Sequence, residues 1–109
     1  MNLLLDSVHY DPKLQAIVGH IYAGEPRFTF KIPAAVVLAS SLYKGDRKEA
    51  RVQEVLDFVR NNAMIVVEMC RRQIFSTLKL GLKLDAQQPL IVPVFEQVAA
   101  LEIQEQKPS

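Results

Sequence analysis

Cysteine is nearly absent from this chain: Cys70 stands alone. That excludes a disulfide within one copy and fits a reducing compartment. Charge of one sign is also scarce. Lys and Arg number 13 against 12 Asp and Glu, a net +1, which argues against a general electrostatic grip on nucleic acid or an anionic membrane. No glycine-rich phosphate loop, paired-cysteine metal spacing or nucleophile elbow occurs, so the common signatures of phosphate, zinc and hydrolase chemistry are missing. There is no internal repeat or low-complexity tract. Met1-Asn2-Leu3-Leu4-Leu5 offers three consecutive apolar side chains before Asp6, too few for the apolar region of a signal peptide or for a membrane span. A cytoplasmic protein with no membrane partner is expected.

Half of the residues are apolar and 23% are charged, enough for one domain with a core of its own. The most informative absence lies between Asp46 and Leu78, which enclose neither proline nor glycine. Asp46 and Glu49 have the spacing of a capping box, and Gly81 stands where a C-terminal cap belongs. A long helix over about 46–78 is predicted. At 100° per residue its core stripe holds Val52, Val55, Leu56, Val59, Ala63, Val66, Val67, Cys70 and Ile74. Phe58, Ile65 and Met69 form a second apolar row beside it, widening the arc to roughly 200° where one-sided packing needs roughly 100°.

Unbroken, such a helix runs roughly 45–50 Å, longer than a compact domain of this size. It must either break, most readily at Asn61-Asn62, or overhang and bury its surplus in a second copy. The second reading is adopted here, which makes Phe58, Ile65 and Met69 an expected homodimer interface.

Before this helix, residues 2–32 read as a three-stranded antiparallel meander turning at Asp11-Pro12-Lys13 and Ala23-Gly24-Glu25-Pro26. In the third strand Phe28, Phe30 and Ile32 alternate with Arg27, Thr29 and Lys31, one face apolar and the other polar. Gly19 interrupts the second strand as a bulge would. A short helix is expected over about 34–43, headed by Pro33. Leu78, Leu80, Leu82 and Leu84 alternate with polar residues and glycine and read as extended. Pro93 bars residues 90–95 from a central strand. An irregular or short helical segment over about 94–104 completes the domain, residues 1–104, and residues 105–109 fray. The fold class expected is α+β.

Candidate chemistry is thin. His9 and His20 are the only imidazoles, and a turn at residues 11–13 sets His9 near Gln15, away from His20, so both are read as structural. A buried Cys70 has a raised pKa and is inert, and Ser40-Ser41 has no base in view. No catalysis, cofactor or metal is expected. Arg47, Lys48 and Arg51 crowd the predicted helix N-terminus against its dipole. They are the candidate contacts for phosphates or an acidic partner, the basis of an alternative reading as a nucleic-acid-binding accessory protein. The leading reading is a small self-associating interaction domain. A small-ligand pocket between the aromatic face of the third strand and the long helix is a third.

Overall fold

The computed structural model describes residues 3–97 as an α+β fold in which helices cover one face of a four-stranded sheet. Strands β1 (Leu4–Asp11), β2 (Ala16–Tyr22) and β3 (Phe28–Pro33) form the expected antiparallel meander. Helices α1 (Ala34–Leu38), α2 (Val52–Asn61) and α3 (Ala63–Lys79) follow, and a two-residue strand β4 (Leu90–Ile91) returns parallel to β3. The sheet order is β1-β2-β3-β4.

Period-two patterning sets the sheet's faces. Phe28, Phe30 and Ile32 are buried beside Ile17 and Ile21, while Val18, His20, Thr29 and Lys31 share the other face. The register of β1 slips between Asp6 and His9, so Ser7 and Val8 together oppose Gly19, with Ser7 at a φ of 56°. That is a β-bulge, placed opposite the glycine that suggested one. Gly19 is required there for a second reason: a Cβ would lie 2.7 Å from the Phe30 ring. On the edge strand, the carbonyl of Val8 accepts from Arg60 Nη2 at 2.7 Å, which ties α2 to the bulge and occupies part of an otherwise open edge.

The long helical stretch is present in two segments. It breaks at Asn62 (φ −119°, ψ 36°), where Nδ2 donates at 2.8 Å to the Phe58 carbonyl. A continuous helix would give that carbonyl the Asn62 N–H, which instead reaches Val59 at 3.1 Å. The side chain thus replaces the lost rung. The described residues extend 43 × 37 × 23 Å, and two segments of roughly 15 and 25 Å fit inside where one rod of roughly 50 Å would project. The helix accommodates its length by breaking rather than by overhanging.

Helix boundaries also differ from those expected. Asp46 Oδ1 does cap, accepting from the N–H groups of Lys48 and Glu49 at 2.8 and 3.3 Å, but in a turn that does not propagate. The helix begins at Val52, behind an extended Arg51. Residues 46–51 offer only Ala50 to the core while setting three cations against the helix dipole, and short helices depend on a buried face. Helix α1 stops at Leu38 rather than near residue 43.

At the other end, the alternating leucines do not make a strand. α3 runs to Lys79, and Gly81 (φ 76°) closes it with Gly81 N–H to Leu78 O at 3.0 Å and Leu82 N–H to Thr77 O at 3.1 Å. These paired bonds are a Schellman cap. Beyond β4, Val92 N–H donates to Lys31 O at 2.9 Å, and Val92 and Phe95 are fully buried. Residues 94–97 are not helical. The remainder of the segment expected over 94–104, and the tail 105–109, lie outside the described residues.

Candidate functional site

The second apolar row of the helix meets its own chain. Ile65 and Met69 are 6% and 5% exposed in one hydrophobic core with Val92 and Phe95. Phe58 is half-buried, its ring tilted against Phe95 at 5.5 Å and edge-on to Tyr43 at 5.2 Å. Such pairings favour a ring's positive edge over its neighbour's negative face. Phe58, Ile65 and Met69 therefore do not form an open surface. What covers Phe58 is the 39–50 loop on one side and the strap after β4 on the other.

Both covers are fastened by polar side chains. Ser41 donates its N–H and its hydroxyl to the two oxygens of Glu96, at 2.7 and 2.5 Å, which joins loop to strap. Gln73 Nε2 donates to the Ile91 carbonyl, fixing the strap to α3. Arg47 donates to three carbonyls, Leu38 at 2.8 Å, Ser40 at 3.1 Å and Tyr43 at 3.0 Å. Its guanidinium satisfies the Leu38 carbonyl at the C-terminus of α1, where a cation is favoured, and adds two carbonyls of the loop that follows. Those bonds hold the loop back against the end of α1. All three candidate phosphate contacts are exposed, and of them Arg47 is occupied by these carbonyls.

The open sheet face carries an ionic cluster. Asp6 on β1 stands opposite His20 on β2, with His20 Nδ1 3.4 Å from Asp6 Oδ1 and Arg27 Nη1 3.2 Å from Asp6 Oδ2. The Arg27 guanidinium lies 4.5 Å above the Tyr22 ring, a cation–π contact. His9 pairs with Val18 rather than Gln15, because the turn spans residues 12–15 with Gln15 at a φ of 50°, and its Nδ1 lies 2.6 Å from Ser7 O. The Asp6–Arg27 pair joins β1 to the turn after β2, while Asp6 Oδ1 and His20 Nδ1 face each other without a hydrogen bond. The bulge at Ser7 and Val8, opposite Gly19, accompanies the register that sets Asp6 across from His20. Among the described residues no three metal-ligating side chains converge.

Cys70 is fully buried, and burial pushes its thiol from 9.0 to about 12. At neutral pH it is protonated and poorly nucleophilic.

An apolar surface does exist elsewhere. Phe75, Leu78, Leu80 and Leu82 at the end of α3 are 52%, 49%, 75% and 59% exposed. Phe75 and Leu78 share a stripe of the helix at i, i+3 spacing, and Leu80 and Leu82 follow in the capping turn. Lys79 and Lys83 flank them. No helix among the described residues is long and apolar enough to cross a membrane. Comparison with protein-family models, curated proteins and solved structures finds no match, so a functional reading stands on this geometry alone.

Proposed function

We propose that the chain is a small non-catalytic interaction domain that pairs with a second copy of itself through the apolar end of α3. The observation that carries this reading is the exposure of Phe75, Leu78, Leu80 and Leu82 within eight residues, since grouped apolar exposure marks contact surfaces where scattered exposure does not. A two-fold contact presents the same four side chains from both copies. Eight half-exposed side chains contribute on the order of 10 kcal/mol. Association costs at least about 4 kcal/mol, so the expected Kd is tens of micromolar or weaker.

The test is sedimentation velocity across a concentration series reaching about 1 mM, well above a Kd of tens of micromolar. The wild type should approach twice its 12.3 kDa mass. Leu80→Asp with Leu82→Asp should hold it at the single mass with an unchanged circular dichroism spectrum. A wild type that stays monomeric throughout defeats the proposal.

A further inference from the structure

A cavity of about 180 Å³ opens between the 23–26 turn, β3 and the last turns of α3. Phe28 and Ile74, both buried, line its depth, and Leu3, Leu78 and Leu84 form its walls. Glu25 is the one ionisable carboxylate in the lining. Arg27, the nearest cation in sequence, is neutralised by Asp6 at 3.2 Å and lies against Tyr22, so it does not cancel the charge of Glu25.

We propose that this cavity binds a small hydrophobic amine, with the hydrocarbon part against Phe28, Ile74 and Leu78 and the ammonium at the Glu25 carboxylate. Size supports an occupant of about six to eight heavy atoms, because apolar cavities near 150 Å³ stay dry and accept a molecule the size of benzene. Charge selects among such occupants. A carboxylate of equal chain length would bring like charge to Glu25, whereas an ammonium gains a charge-assisted hydrogen bond with that carboxylate, which is exposed at the mouth of the cavity. This site is distinct from self-association, although Leu78 borders both surfaces.

Hexylamine, hexanol and hexanoate serve as matched probes in an amide NMR titration of the Leu80→Asp/Leu82→Asp variant, so dimerisation does not enter the result. Hexylamine is expected to bind with a Kd of about 1 mM, as ligands of this size can, with shifts mapping to Phe28, Ile74 and Leu84. Hexanoate should bind at least about tenfold more weakly. Glu25→Gln, in an exposed turn, should erase that preference without changing the fold, and Leu84→Trp should block all three probes. Equal affinity for the three probes, a preference that survives Glu25→Gln, or no shifts with hexylamine at about ten times the expected Kd would each overturn the proposal.

Discussion

Truncating Phe95 to alanine tests whether the strap after β4 belongs to the core or merely rests on it. The ring has no exposed surface and lies 5.5 Å from that of Phe58. Removing a fully buried phenylalanine ring costs about 3–5 kcal/mol in lost transfer energy and cavity formation. A domain of this size has about 5–15 kcal/mol in all, so Phe95→Ala should remain folded with much of its margin gone. At about 4–8 °C for each kcal/mol, the midpoint of thermal unfolding should fall by about 12–40 °C. Urea titration followed by circular dichroism gives the free-energy loss directly, with an unchanged slope if the unfolded state is unaltered. Combining Phe95→Ala with Phe58→Ala should show a coupling of about 0.5–1.5 kcal/mol, the usual worth of such a ring pair. A loss below about 1 kcal/mol would mean a ring resting in solvent. Additive single variants would remove the ring pair from the account. Either result would also reopen the idea that a second copy covers Phe58.

Three further outcomes follow from other contacts. Gly19→Ala should lose about 1–3 kcal/mol through overpacking against Phe30, whose ring atoms stand 2.7 Å from the new carbon; denaturant unfolding checks it. Arg47→Ala should cost about 1–3 kcal/mol through its three carbonyl partners. Arg47→Lys should recover little, since an ammonium cannot reproduce the guanidinium fork, while Lys48→Ala should stay within about 0.5 kcal/mol. For Cys70, the folded thiol sits at about 12 against 9.0, so folding favours the protonated form. Its contribution is complete below pH 9 and declines as pH rises toward 12, the unfolded chain releasing the proton first. The stability difference between wild type and Cys70→Ala should therefore narrow across that interval. Thiol labelling at neutral pH should proceed only as fast as the chain opens.

The elements that could be read in advance are those whose evidence is local. Alternation in β3 placed Phe28, Phe30 and Ile32 on the covered face, and the 3.6-residue stripe marked the buried side of the helical stretch at Val55, Val59, Val66, Cys70 and Ile74, though not at Val52, which is exposed at the first turn of α2. Gly81 announced its cap, and Asn61-Asn62 the point at which it could break. The capping chemistry of Asp46 was also legible, but not that it would serve a turn. Whether a turn grows into a helix depends on a buried face, which residues 46–51 lack.

The sequence by itself therefore determined the meander, the apolar stripes and the places where the helix could stop. It also determined the surplus of apolar surface beyond one stripe. What covers that surplus was decided only in three dimensions: Phe95, 37 residues beyond Phe58, reaches it on a strap held by Glu96 and Ser41. Periodicity reports which side of an element avoids water, because neighbours along the chain share one backbone geometry. It carries no record of the distant segment that supplies the cover, since that depends on where the intervening loops bring the chain back.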